Sequence, residues 1–494
     1  MKRVASGILP VIAIDRKAPK PLHRQIYDAY RTAIIEGSLR PRQRVLSTRA
    51  LAAELGVSRL PVLNAYGQLL AEGYFESRVG AGTVVSSALP EQFTASGAAL
   101  QAARSESRYA PRPAAHRCSL LPQRETSPWL QGLGAFAVGQ VAYDQFPLQV
   151  WSRLVARHCR SMNARSFHYG DHMGLRALRE TVASYLRTAR SLRCEADQIM
   201  IVSGSQQAIE LSARVLLDPG NRVWIEEPGY HLAKAVFATK GCHLVPVPVD
   251  EEGLNVAEGI KRYRKARAAF VTPSHQFPLG VTMSASRRLQ LLEWAQTNGS
   301  WIIEDDYDSE YRYESSPIPS LQGIDANARV IYIGTFSKVL FPSLRLGYVV
   351  IPPDLVDAFV AIRWAMDLGR PSFYQDVLAD FIGEGHFGRH IRRMRLLYRE
   401  RRGALTASLR KELGSTVEVL GSEAGMHLTV NLQNRTGDVR IAERASTQNL
   451  RIWPLSPHYL GEASRHGFIL GFGSTAIEEI PHAVRKLRNL VEAK

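Results

Sequence analysis

Cysteine is scarce in this chain. Four residues in 494 (Cys118, Cys159, Cys194 and Cys242) stand far apart, with no C-x-x-C pair. That spacing excludes a disulfide framework and a cysteine zinc site, so no metal is expected; it fits a reducing, cytoplasmic setting. Long apolar runs are also missing. No stretch reaches the roughly 18 apolar residues that would cross a bilayer, so no membrane partner is expected. The opening MKRVASGILPVIAIDRKAPK lacks an apolar centre with a small-residue cleavage site and reads as no signal peptide. Acidic residues fall short of basic ones, 46 against 62, for a formal charge of +16. Such a balance suggests a polyanionic partner and says nothing about fold. The length exceeds one ordinary domain.

What is present begins with PLHRQIYDAYRTAIIEGSLR, where Leu22, Ile26, Ala29, Tyr30, Ala33 and Ile34 recur at helical spacing until Gly37. STRALAAELG then predicts a short helix, with Ser47 or Thr48 as N-cap and Gly56 as its stop. SRLPVLNAYGQLLAEGY predicts a second, capped by Ser58 and tolerating Pro61 in its first turn. YFESRVGAGTVV alternates around Gly80 and predicts a hairpin. Two short helices and a hairpin make a winged helix-turn-helix, mainly α with a β-hairpin wing. Residues 1–88 hold thirteen Lys/Arg against six Asp/Glu, with Arg40, Arg42, Arg44, Arg49 and Arg59 around the two short helices. Such a cluster neutralises phosphates and releases counterions. The stretch resembles the GntR-type winged helix, on P-L-x-x-Q-I-Y, L-x-S-T-R-x-L-A-x-E-L-G-V-S-R and the glycine-rich wing. The resemblance implies double-stranded DNA as partner, with Arg49, Ser58, Arg59 and Gly80 on it. Leu46 departs from the usual proline of that pattern, and Leu60-Pro61 from its commoner polar pair.

Residues 89–127 are rich in Ala, Ser, Pro and Arg without a sustained period, and read as a flexible linker between a 1–88 DNA-binding domain and a 128–494 effector domain. From Gln198 the pattern becomes one of short β-branched strands: QIMIVSG, RVWIEEP, HLVPVPV, AAFVTPS, SWIIEDD, VIYIGTF and LGYVVIP. Amphipathic segments such as SQQAIELSARVLL and SASRRLQLLEWAQ lie between several of them. This predicts an α/β domain around a mostly parallel sheet, with ligands beyond the carboxyl ends of its strands.

The polar groups at those ends are particular. Ser205 and Gln206 open a helix whose N–H groups suit a phosphate. Tyr230 follows a strand end, where its ring would stack on a flat heterocycle or simply pack. Asp305 and Tyr307 alternate along EDDYDSE and so face one crevice; a metal-binding or solvated acidic turn is the alternative. Lys338, within GTFSKVLFPSLRLGY, offers an amine to an aldehyde, and Ser337 and Arg345 offer phosphate donors. Together they match what pyridoxal 5′-phosphate requires: a Schiff-base lysine, an acidic partner for the pyridinium and a phosphate cup.

YGDHMGLRALRETVASYL, SGSQQAIELSARVLLDPGNRVWIEEPGY, TPSHQFPLG, WIIEDDYDSEYRY and GTFSKVLFPSLRLGY resemble fold type I aminotransferases and, more closely, the MocR subfamily of GntR-type regulators. The resemblance implies a PLP-dependent transferase fold with a small C-terminal α+β subdomain. It places cofactor contacts at Ser205, Gln206, Tyr230, Asp305, Tyr307, Ser337, Lys338 and Arg345. It also implies a homodimer and an effector domain that senses a small amine, an amino acid or a B6 vitamer.

Two departures bear on chemistry. The N-P-x-G of aminotransferases is matched by Gln276-Phe277-Pro278-Leu279-Gly280, leaving Gln276 or His275 to replace the asparagine. The C-terminal strand HGFILGFGS holds no arginine between Gly467 and Gly473, where such enzymes grip a substrate carboxylate. The basic run 389–403 puts Arg392, Arg395 and Arg399 on one helical face, solvated, dimer-contacting or facing DNA. The reading is a transcription regulator without efficient turnover; a working aminotransferase with a DNA-binding appendage is the rival.

Overall fold

The computed structural model describes residue 10 and residues 12–78, 82–87, 127–162, 167–313, 319–327, 329–368, 373–433 and 437–493. The chain divides into two compact units, Met1–Pro113 and Ala114–Lys494. Gly80 and almost all of the expected linker lie outside the described residues.

In the first unit, α1 (Leu22–Ile35), α2 (Thr48–Glu54) and α3 (Arg59–Ala71) are followed by the antiparallel pair β1 (Phe75–Arg78) and β2 (Gly82–Val85). Gly37 and Gly56 end α1 and α2 in the left-handed region, at φ +77° and +61°, where a Cβ would be strained. Ser47 is the cap of α2 and accepts from Ala50 N–H at 3.2 Å. Ser58 differs from expectation: it stands at the N-cap of α3 with extended backbone, but its hydroxyl makes no capping bond. The core joins the helices to the wing through Tyr30, Tyr66 and Phe75, edge to face with centroids 5.1–5.6 Å apart. Tyr66 also donates to the Leu46 carbonyl at 2.9 Å, which ties α3 to the segment before α2.

The second unit is built on eight strands. They are β3 (Ile199–Val202), β4 (Arg222–Glu227), β5 (His243–Asp250), β6 (Gly253–Leu254), β7 (Ala268–Val271), β8 (Trp301–Asp306), β9 (Val330–Thr335) and β10 (Gly347–Val350). Their order is β3-β10-β9-β8-β7-β4-β5-β6. From β9 to β5 all neighbours are parallel, whereas β10 runs antiparallel to both β9 and β3. All seven strands expected from sequence are present. β3, β7, β8, β9 and β10 are buried along their whole length, as in a sheet covered on both faces. Neighbouring residues of β8 therefore enter different cores: Ile303 packs with Ile209 and Phe237, Ile302 with Leu291 and Trp294. Among the covering helices are α4 (Arg176–Arg190), α5 (Ser205–Leu216), α6 (His231–Lys240) and α7 (Ala285–Asn298).

A smaller antiparallel sheet follows, in the order β11 (Val417–Leu420), β12 (His427–Leu432), β14 (Gly467–Gly471), β13 (Trp453–Pro454). Its core of Leu428, Val430, Phe468 and Leu470 packs with Met394, Tyr398 and Leu405 of α8 (His386–Leu413) and Leu487 of α9 (Ile480–Glu492). The basic run is part of the 28-residue α8. Its expected stripe is divided: Arg395 donates to the Glu310 carbonyl at 2.8 and 3.1 Å, Arg399 to that of Tyr313 at 3.1 Å, and Arg392 is exposed. Two of the three arginines thus hold the segment that follows β8.

At the end of β8, Asp306 accepts from Arg190 of α4 at 2.5 and 3.0 Å and from the Tyr332 hydroxyl at 2.5 Å. Arg190 and Asp306 are both almost fully buried. Burial opposes the charge on Arg190, but Asp306 and Tyr332 outweigh it. Removing one member leaves the other charged and unpaired. Asp306→Ala should cost about 3–5 kcal/mol in denaturant unfolding; a loss below about 1 kcal/mol, the ordinary worth of an exposed pair, would contradict this role.

Candidate cofactor site

Beyond the carboxyl ends of β3, β4, β7, β8 and β9 lies a cavity. Ser205, Tyr230, Asp305, Tyr307 and Lys338 all line it, although as many as 133 positions separate them in sequence. Gln206, Ser337 and Arg345 do not line it. Arg345 is nevertheless close to the β3–α5 turn: a Cβ on Gly204 would stand 3.8 Å from its Nη1. Gly204, at φ +106°, lets the chain enter α5 there without a side chain in the way. Ser337 follows β9, its N–H on Thr335 Oγ1 at 3.1 Å and its own hydroxyl buried. Gln206 spends its amide N–H on the Leu232 carbonyl at 3.3 Å.

Ser337 Oγ, Gln206 Oε1 and Asp305 Oδ1 are among the buried atoms that have no hydrogen-bond partner among the described residues. Buried polar groups are normally satisfied, and an orphan costs about 1–3 kcal/mol. The orphan Ser337 hydroxyl, a donor, fits a phosphate beside a helix N-terminus and an arginine, whereas Gln206 Oε1 only accepts; an orphan carboxylate oxygen in the cavity fits a protonated ring nitrogen. The donor set therefore fits pyridoxal 5′-phosphate.

Burial lowers the pKa of Lys338; Asp308 and Asp305 work against that, and Arg345 adds to it. A larger share of uncharged amine results, which is the nucleophilic form. Its Nζ lies 3.3 Å from the Gly139 carbonyl. Asp305 is pushed up to about 8, by burial first and then by Asp306, Asp308 and Glu226. The Tyr307 hydroxyl, also raised well above its ordinary value by burial, donates to the His275 carbonyl at 2.9 Å.

Sequence reasoning left the asparagine replacement between Gln276 and His275. Neither lines the cavity; Phe277 does. Gln276 is consumed locally, its amide on Glu226 at 3.1 Å and on the Pro228 and Phe277 carbonyls at 2.9 and 2.6 Å, its oxygen on Leu279 N–H at 3.0 Å. His275 lies behind Tyr307, with Nδ1 3.0 Å from Asp308 and 3.1 Å from the Tyr307 hydroxyl. Local pattern also gave no signal for Gly139, Met426, His427 or Trp453, which reach the cavity from segments remote in sequence. Asp308 was legible in principle, three positions beyond Asp305. It accepts from Met426 N–H at 3.1 Å, fastening the smaller sheet's leading edge to the site.

An acid whose pKa is higher folded than unfolded binds its proton preferentially in the folded state. Its contribution is full below the unfolded value near 3.8 and is lost progressively up to about 8. In cofactor-free protein, Asp305→Asn should therefore raise the melting temperature by several degrees relative to wild type at pH 8 and by much less at pH 5. Equal shifts at the two pH values would contradict a proton held on Asp305.

Residues 134–455 match the family "Aminotransferase class I and II", and residues 22–85 match "Bacterial regulatory proteins, gntR family". The chain is 38% identical to the probable rhizopine catabolism regulatory protein MocR of Rhizobium meliloti, over 97% of this chain and 95% of that one. It is 30% identical to the pyridoxine biosynthesis transcriptional regulator PdxR of Corynebacterium glutamicum, over 94% of each. Among solved structures, the Pyrococcus horikoshii kynurenine aminotransferase in complex with PMP superposes at a TM-score of 0.69 and 28% identity, covering 80% of this chain and all of that one. Relatives of both kinds meet in one polypeptide here, and the chain belongs to the MocR subfamily of GntR-type transcription regulators.

Proposed function

We propose that the large unit of this regulator holds pyridoxal 5′-phosphate on Lys338 and responds to a small amine, an amino acid or a B6 vitamer, while residues 1–88 bind operator DNA. The observation that carries this reading is the convergence of Lys338, Asp305, Tyr307, Tyr230 and Ser205 on one cavity, with Asp305 Oδ1 and Ser337 Oγ unsatisfied beside it. The bound cofactor supplies an aldehyde that captures amines and a pyridine ring that withdraws electrons. Lys338 contributes the amine that holds it. Asp305 would hold the ring nitrogen, Tyr230 and Tyr307 would border the ring, and Ser205, Ser337, Gln206 and Arg345 would hold the phosphate with the first turn of α5. Residues 89–127 connect this unit to the DNA-binding domain, and two copies form a homodimer in the cytoplasm.

Sensing without efficient turnover is the favoured form of this reading. The strand segment Gly467–Gly473 contains no arginine, so the carboxylate grip that orients an amino acid for proton removal has no counterpart there. Positioning of this kind is worth up to about 7–11 kcal/mol of a barrier. An amine that took the cofactor's aldehyde in place of Lys338 would free the lysine side chain, a local change that a regulator can use.

The purified protein should carry a visible absorbance band that borohydride abolishes and that Lys338→Ala lacks. With a panel of amino acids and amines and a keto-acid acceptor, turnover should stay well below about 1 per second. A wild type that remains colourless after incubation with the cofactor would refute the cofactor site. Sustained turnover at ordinary enzyme rates would instead favour the aminotransferase rival.

A further inference from the structure

Helix α3 has two faces. Val62, Ala65, Tyr66 and Leu69 are buried in the first unit's core, at 0–3% exposure. The other face carries Leu60 and Leu63, exposed at 65% and 42%, together with exposed Arg59, Asn64 and Gly67. Positions 60, 63, 64 and 67 follow helical spacing and form one continuous strip through the first two turns. Two large aliphatic side chains held in water on a second helix-turn-helix helix need a partner to be worth keeping. Burial of such a side chain is worth roughly 1.5–3 kcal/mol.

The surroundings specify that partner. Arg40, Arg42, Arg44, Arg49 and Arg59 are all exposed, on and around α2 and the start of α3. An apolar strip framed by guanidinium groups suits a polyanion with apolar spots on its surface. Duplex DNA has this chemistry: phosphates flank a major groove in which thymine presents a C5 methyl. The second helix of a helix-turn-helix lies in that groove, with its N-terminal residues at the base edges. Arg59 is the first residue of α3, and its Nε donates to Thr48 Oγ1 at 3.2 Å, so it is steadied against α2.

We infer that Leu60 and Leu63 are specificity residues that read thymine by packing on its C5 methyl, so that the operator half-site carries thymines opposite the first two turns of α3. This rests on the DNA-binding reading of residues 1–88. It is also the physical consequence of a leucine where the pattern usually has a polar residue: direct readout moves from hydrogen bonds to apolar contact.

The test uses the full-length protein and the tightest duplex it selects from a random-sequence library. That duplex is remade with deoxyuridine at each thymidine of the half-site, one position at a time, which removes only the methyl group. Wild type should lose about four-fold in affinity at one or two positions, the worth of roughly one buried methylene. Leu60→Ala or Leu63→Ala should bind the thymidine duplex several-fold more weakly and be indifferent to deoxyuridine at the matching position. Arg49→Ala, a phosphate contact, should weaken both duplexes equally and reduce the salt slope by about one. Wild-type affinity unchanged by every deoxyuridine substitution would overturn the inference, as would leucine variants that weaken both duplexes alike. The same holds if those variants change oligomeric state and leave DNA affinity intact, since the strip would then face protein. Failure of the underlying reading looks different: no duplex is enriched, and Arg49→Ala and Arg59→Ala change nothing.

Discussion

The structure depends on how the acidic end of β8 is neutralised. Glu304, Asp305, Asp306 and Asp308 crowd into a buried region where a carboxylate is expensive. Each is dealt with differently. Glu304 accepts the Leu321 and Gln322 N–H groups at 2.9 and 3.0 Å, and burial lifts its pKa to about 7. Asp306 has Arg190 and Tyr332. Asp308 has His275 and the Met426 N–H. Asp305 lines the cavity with its Oδ1 unpartnered among the described residues; Asp308 lines it too, and Asp306 Oδ1 is likewise without a partner there. Asp306 and Asp308 are each held by a basic side chain and Glu304 by two backbone N–H groups, which leaves Asp305 to face a cation. On the proposed reading that cation is the ring nitrogen of pyridoxal 5′-phosphate.

This division accounts for what the sequence disclosed. The seven strands of the main sheet were legible because β-branched runs of four to eight residues, bounded by turns, have few other outcomes. The antiparallel entry of β10 between β9 and β3 was not, since strand direction depends on a connection that local pattern does not encode. Lys338, Asp305 and Tyr307 were legible because each lies at or just past the carboxyl end of a strand. Phe277 lines the cavity although its polar neighbours His275 and Gln276 do not, and an apolar residue in that stretch carries no signal of a site. Gln276 satisfies the turn around Pro228 and Pro278 instead, and His275 supports Tyr307 from behind. His427 and Trp453 belong to the smaller sheet, and no periodicity relates them to Lys338.

The first unit shows the same limit from the other side. Its helices and wing were predictable from capping residues and glycines, and Ser47 behaves as expected. Ser58 does not cap through its side chain, which leaves that hydroxyl exposed at the start of α3 beside Arg59. Leu60-Pro61 departs from the commoner polar pair of the pattern, and sequence alone does not say whether these side chains are exposed. With its exposure known, Leu60 becomes the more informative position, because exposed aliphatic surface next to Arg59 in a unit rich in exposed arginines points to a specific chemistry of recognition.

The central claim is that displacement of Lys338 by an effector amine is coupled to DNA affinity. Thermodynamic coupling is reciprocal, so each event must report on the other. The most direct measurement follows the visible spectrum and operator affinity of the cofactor-loaded protein through a single titration with an effector amine. The account predicts that both change with one midpoint, and that saturating operator shifts the spectral midpoint by the same factor by which the amine shifts DNA affinity. A complete spectral change with operator affinity unmoved would contradict it.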